Sequence, residues 1–156
     1  MDDKDFMRAA IALAEENVAN GNGGPFGAVI VRDGEIVGRG TNNVTAHNDP
    51  TAHAEVVAIR DACSTLGTFS LKGCTVYTSC EPCPMCLSAI YWARLDRIYF
   101  GNTKDDAAEI DFDDAFLYIE IPKDIKDRAI PTEQMLQEES IKAFRDWAAS
   151  ENKIPY

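Results

Sequence analysis

Ser79-Cys80-Glu81-Pro82-Cys83-Pro84-Met85-Cys86 joins two unlike segments of the chain. Ahead of it, Thr75 to Ser79 carries the β-branched and aromatic residues of a strand. Behind it, Pro82 fits the first turn of a helix that continues to about Ala93, where the missing proline N–H is one the helix would leave unpaired anyway. Arg97-Ile98-Tyr99-Phe100 then has the composition of a further strand. A strand–helix–strand succession implies parallel pairing through a right-handed crossover.

Working outward, Asp5 to Asn20 is expected to be a helix. Phe6, Ala10, Leu13, Ala14 and Val18 recur at helical spacing, acids crowd its start and Gly21 follows its end. Ala28 to Val31 and Glu35 to Arg39 flank Asp33-Gly34, a type I′ hairpin signal. A second helix is expected from about Thr51 to Leu66, stopped by Gly67. Phe116 to Ile121 fits a fifth strand, and Glu133 to Ala149 a closing helix. The sum is an α/β fold: a three-layer α/β/α sandwich around a five-stranded mixed sheet. A length of 156 residues without repeat or linker predicts a single domain over 1–156.

The formal net charge is −11, so nucleic acid would be repelled unless the few cations cluster. Lys104, Lys123, Lys126 and Arg128 each sit beside an acid instead. A small neutral ligand fits better than a polyanion, and no nucleic-acid partner is expected. No stretch is long and apolar enough to span a bilayer. The start, Met1-Asp2-Asp3-Lys4-Asp5, lacks the pattern of a signal peptide, so a cytoplasmic setting is expected. Five cysteines argue against a complete disulfide framework and for metal or redox chemistry at Cys-x-x-Cys.

Two segments carry that chemistry: Pro50-Thr51-Ala52-His53-Ala54-Glu55 and the Pro82-Cys83-Pro84-Met85-Cys86 run. Together they satisfy a His-x-Glu … Pro-Cys-x-x-Cys signature of zinc-dependent hydrolysis. Cys83 and Cys86, three residues apart at a helix start, share one face where the dipole favours thiolates. His53 at the start of the preceding helix completes three ligands, which suits one tetrahedral Zn2+ per chain with a fourth position for water. Glu55 is the expected proton carrier and not a ligand. Because residues two apart do not share a helix face, His53 and Glu55 can meet one centre only if it lies off the helix end. Taken singly, Cys83, Cys86 and His53 would pass for core residues; their joint offsets say otherwise. Cys80 is expected to point elsewhere, Cys63 and Cys74 to pack, and His47 to be solvated. A closed structural site in a zinc-stabilised interaction module is the non-enzymatic alternative, against which Glu55 speaks.

The chain resembles bacterial guanine deaminases, members of the cytidine deaminase-like zinc amino-hydrolases, along nearly its whole length. The resemblance rests on Gly23-Gly24-Pro25-Phe26-Gly27-Ala28-Val29-Ile30, on Asn42-Asn43-Val44, on the two metal segments, on Ala89-Ile90-Tyr91-Trp92-Ala93-Arg94, and above all on Phe112-Asp113-Asp114. Asp111 stands where that family often has Gly. The resemblance implies hydrolysis of guanine to xanthine and ammonia. It implies roles for Asn42 as a purine-binding amide, Ala54 through its N–H, Phe26 as an aromatic wall, Asp114 as a second catalytic carboxylate, Trp92 at the pocket floor and Tyr156 as a lid. It also implies a homodimer in which a segment from about 132 to 156 is exchanged. A tRNA adenosine deaminase, or a deaminase of guanosine or a related heterocycle, are the alternatives.

Overall fold

The computed structural model describes all 156 residues, Met1–Tyr156. It resolves into two compact units, Met1–Asp114 and Ala115–Tyr156.

The first unit is built on a four-stranded sheet of order β2-β1-β3-β4, with β1 at Gly27–Arg32, β2 at Glu35–Thr41, β3 at Thr75–Cys80 and β4 at Arg97–Asn102. β1 pairs antiparallel with both β2 and β3, and only β3 and β4 run parallel. The sheet is therefore mixed, as expected. The turn between β1 and β2 holds Asp33 and Gly34 at φ 51° and 82°, the two left-handed residues of a type I′ hairpin. Alternation along β1 sends Val29 and Val31 to one face, against Phe6 and Ala10 of α1 (Asp3–Ala19). It sends Ala28 and Ile30 to the other, with Val76, against Ala54, Ala58 and Ala62 of α3 (Ala54–Leu66) and Ile90 of α4 (Pro84–Trp92). Three layers result. Val29 and Ile30 are fully buried, each contributing roughly 1.5–3 kcal/mol relative to an exposed side chain.

The contact that positions the site is α3 on β2. The Ala54, Ala58 and Ala62 stripe lies on Gly38 and Gly40. A Cβ on Gly40 would stand 2.1 Å from the Ala54 carbonyl oxygen, and one on Gly38 2.6 Å from that of Ala58. The helix rests directly on backbone, which fixes where its N-terminus ends up.

Several expectations are corrected. The fifth strand is absent: residues 116–121 lie in and at the end of helix α6 (Ala115–Glu120), and the Ile121 N–H donates to the Leu117 carbonyl at 3.0 Å. A six-residue apolar run has too little periodicity to separate strand from helix. The helix expected from Thr51 starts at Ala54, because the Asp49 side chain accepts from the Thr51 N–H at 2.9 Å and Ala52 N–H turns back to the Asp49 carbonyl. The helix expected to take Pro82 into its first turn begins at Pro84, because a residue before proline avoids helical geometry and Cys83 is extended (φ −65°, ψ 167°).

Two short helices complete the first unit: α2 (Val44–His47), which leaves His47 exposed, and α5 (Lys104–Glu109), opened by a capping box between Thr103 and Asp106. The second unit holds α6, a 3-10 turn at Ile125–Asp127 and α7 (Gln137–Ala149), which starts four residues later than expected. None of its residues is buried, and Phe116, Ile119, Phe144 and Trp147 are exposed.

Candidate active site

His53 and Cys83 occupy equivalent places, as the N-cap residues of α3 and α4. Both are extended and neither side chain caps its own helix. Each is thereby free to turn away from its helix axis. Cys86, at the third position of α4, comes round to join them. His53 Nδ1 lies 3.5 Å from the Sγ atoms of both Cys83 and Cys86, and the three ligand atoms fall within 4.8 Å of one another. Tetrahedral zinc, with Zn–N of about 2.0–2.1 Å and Zn–S of about 2.3 Å, separates nitrogen from sulfur by about 3.5 Å, so this donor set fits that ion.

The electrostatics agree with the chemistry. Hydrogen bonding from Cys86 holds the Cys83 thiol well below the usual thiol range, against burial and with help from His53. Cys86 is pushed up in turn, chiefly by the proton it shares with Cys83 and then by burial. His53 is raised, first by its hydrogen bond with Cys83. A thiolate stabilised at a helix N-terminus is the metal-ligating form of cysteine. Cys80 behaves differently. Burial, reinforced by the surrounding carboxylates, pushes it up to about 11, and its Sγ donates to the Thr103 carbonyl at 3.8 Å. It stays outside the triad, while Cys63 packs within α3 and Cys74 is buried just ahead of β3.

Glu55 is buried beside the cluster, 6% exposed. The offset problem between His53 and Glu55 dissolves because His53 precedes the helix while Glu55 belongs to its first turn. Thr78 Oγ1 donates to Glu55 Oε1 at 2.8 Å. Thr78 carries no sequence signal of its own; only the alternation of β3, which turns Thr78 to the α3 side with Val76, points to it.

The residues expected around a ring gather at the same end of the sheet. Asn42 N–H donates to the Phe26 carbonyl at 3.3 Å, and Asn43 N–H to the Ala52 carbonyl at 2.9 Å, tying the end of β2 to the segment that carries His53 and Ala54. The Asn42 Oδ1 accepts from Val44 N–H at 3.2 Å, which pins the amide. A second unpredicted residue supports this: buried Asn17 of α1 donates from Nδ2 to the Gly24 carbonyl at 2.8 Å and to the Asn42 carbonyl at 3.0 Å. Ala54 is the first residue of α3, whose leading N–H groups have no intrahelical acceptor. Phe112 meets Phe26 edge to face, ring centres 5.0 Å apart. Asp114 follows, its carboxyl raised by burial and by the charges of Cys83 and Glu81 against Lys104. Asp111 has φ 72°, the left-handed geometry for which glycine is suited.

Trp92 lies apart from the cluster within the first unit. It ends α4, about 9 Å along the axis from Cys86. It is 62% exposed with the Arg94 guanidinium 5.9 Å from its ring, and forms no part of the cluster. Tyr156 ends the second unit and is 78% exposed.

The fold is an α/β fold on a mixed sheet that carries a His53–Cys83–Cys86 donor set of the kind that suits a zinc ion. The model of the cytidine and deoxycytidylate deaminase zinc-binding region matches residues 1–102. The chain is 53% identical to the guanine deaminase of Bacillus subtilis over 156 residues, covering all of both proteins. It superposes on an X-ray structure of guanine deaminase from that organism with a TM-score of 0.97 at 52% identity, covering 100% of this chain and 99% of the other. A tRNA-specific adenosine deaminase of Aquifex aeolicus is 41% identical over 96 residues, 62% of this chain and 63% of its own. The chain belongs to the cytidine and deoxycytidylate deaminase family and, by its full-length match, to the guanine deaminases within it.

Proposed function

We propose that this protein hydrolyses guanine to xanthine and ammonia. The observation that carries the substrate assignment is the Phe112-Asp113-Asp114 segment. It packs back on the site through the Phe26–Phe112 ring contact, and Asp114 lies within electrostatic reach of Cys83. The full-length likeness to a guanine deaminase supports the same assignment.

His53 Nδ1, Cys83 Sγ and Cys86 Sγ would hold one zinc ion per chain. When bound, zinc is a Lewis acid that makes water a competent nucleophile near neutral pH. Glu55 accepts a proton from the attacking water and passes it to the ring nitrogen next to the amine-bearing carbon. Proton delivery through Glu55 and Asp114 then lets the amine leave as ammonia, while the oxygen of water stays on the ring carbon. The Asn42 amide and the Ala54 N–H read the ring's polar edge, and Phe26 with Phe112 stacks against its face. A site whose buried polar groups are left unpaired by adenine can reject it by ~10⁴ or more.

The net charge of −11, without clustered cations, disfavours a tRNA substrate and fits a small purine in the cytoplasm. We extend the proposal to a homodimer in which the C-terminal segment is exchanged and Tyr156 lids the neighbouring pocket. A segment with no buried residue and several exposed aromatic rings supports it. Ammonia release from guanine, guanosine, adenine, cytosine, cytidine and tRNA tests the activity, with guanine expected to be fastest. Preference for cytosine or tRNA overturns it. Truncation after Asn152 tests the lid: zinc and fold retained with turnover severely reduced supports it, and unchanged turnover or a monomeric full-length chain refutes it.

A further inference from the structure

Thr78 is 1% exposed, on a strand hydrogen-bonded along both edges, between β1 and β4. Its partner across β1 is Ala28, which offers no polar side chain to compete for the hydroxyl. Two acceptors lie within reach of Oγ1: Glu55 Oε1 at 2.8 Å and the Cys80 carbonyl at 3.1 Å. A hydroxyl has one proton to give. The nearer acceptor, the carboxylate oxygen, takes the larger share of it, since it stands 0.3 Å closer than the carbonyl.

The consequence for Glu55 is orientational. The terminal torsion of a glutamate is a broad, nearly two-fold rotor, so burial alone does not choose which oxygen faces the reacting atoms. A threonine does. It is β-branched, stiff at χ1 and seated on an inner strand, which holds a side chain more precisely than a loop does. With Oε1 tied to it, the second oxygen is left to serve water and ring, and the Cys86 side chain, which also hydrogen-bonds the carboxylate, keeps the group beside the cluster.

We propose that Thr78 is a positioning residue for deamination, fixing the Glu55 carboxylate by one oxygen so that the other carries the proton. This rests on Glu55 being the proton carrier. It implies that loss of the Thr78 hydroxyl acts on the chemical step and spares both metal and substrate binding.

The test uses the full-length, zinc-loaded protein and its Thr78→Val and Thr78→Ser variants. Zinc content, melting temperature, kcat and KM on guanine are measured, and the Glu55 orientation is read from crystal structures. Thr78→Val is expected to keep its zinc and a KM within about threefold. Its kcat should fall about ten- to a hundredfold, the loss typical of a hydrogen bond to a charged group. Thr78→Ser should recover most of that loss, and the Glu55 carboxylate should be turned in the Val variant alone. Thr78→Ala replaces Val should the latter not fold. An unchanged kcat in Thr78→Val, a serine variant as slow as the valine one, activity lost in step with zinc, or an unmoved Glu55 would each overturn the proposal. A parent protein silent on guanine would refute the substrate assignment, while the Glu55 orientation in the variant still decides the role of Thr78.

Discussion

Gly40→Ala is a single methyl group placed where the structure has no room. The new Cβ would stand 2.1 Å from the Ala54 carbonyl oxygen and 2.5 Å from the Ala58 nitrogen, both backbone atoms that no rotamer change can move. Restoring a tight contact of ~3.2 Å requires the first turn of α3 to withdraw by about 1 Å. That turn begins immediately after His53 and contains Glu55. Metal–ligand distances tolerate about 0.2 Å, and a misplacement of 1 Å costs about 10²-fold in turnover. Overpacking itself costs about 1–3 kcal/mol, a fall in Tm of about 2–12 °C for a chain this long. Gly38→Ala is the control. Its Cβ would meet the Ala58 oxygen at 2.6 Å and the Ala62 Cβ at 2.7 Å, on the same helix but about 6 Å further from its start. The two variants should be destabilised alike. Only Gly40→Ala should lose zinc to a chromogenic chelator at lower chelator concentration and release ammonia from guanine about a hundredfold more slowly. Parent-like zinc retention and turnover in Gly40→Ala would refute the reasoning, as would turnover losses that merely track melting temperature in both.

Glu55→Gln should retain zinc by atomic absorption, because the three ligands remain, and lose about 10²–10⁴-fold in kcat. Loss of metal with normal activity per remaining ion would make Glu55 a ligand. Cys80→Ser should keep its zinc and measurable turnover, since its thiol stays protonated and faces Thr103, whereas Cys83→Ser and Cys86→Ser should lose the ion. Equal zinc loss in all three would break the assignment. Asp111→Gly should leave the protein as stable or raise its Tm, and Asp111→Val should lower stability by about 1–2 kcal/mol, because the φ of 72° is strained for a β-branched residue. A valine variant as stable as the parent in urea denaturation would count against that.

Much of this was legible because local chemistry and tertiary structure agree. Asp33-Gly34 demanded two positive φ values and has them. His53, Cys83 and Cys86 were separated from ordinary core residues by their joint offsets, and the structure brings their ligand atoms together. The misses have physical causes. Thr51 has the composition of a helix cap, but Asp49 captures its amide first. Pro82 and Pro84 both suit a helix start, and only the restriction that Pro84 places on Cys83 chooses between them. Phe116 to Ile121 is rich in residues that favour strands, yet the sheet ends at β4 and the segment coils. The helix α5 was not expected, although Thr103 and Asp106 stand at the spacing of the capping box that opens it. Thr78 and Asn17 were not readable. Their importance lies in what folding places opposite them, a carboxylate for one and two carbonyls for the other.

The donor triad also has a topological meaning. His53 and Cys83 are 30 residues apart in the chain, and His53 and Cys86 33 apart. An ion gripping both ends closes a loop that takes in all of α3 and β3. By the relation used for covalent cross-links, closing a 30-residue loop removes conformational freedom from the unfolded chain worth about 3–4 kcal/mol. A reagent ion would thus double as a clasp. Chelation would silence the chemistry and at the same time loosen the segment between the two helices, so exposure to proteases and loss of turnover should rise together as metal is withdrawn.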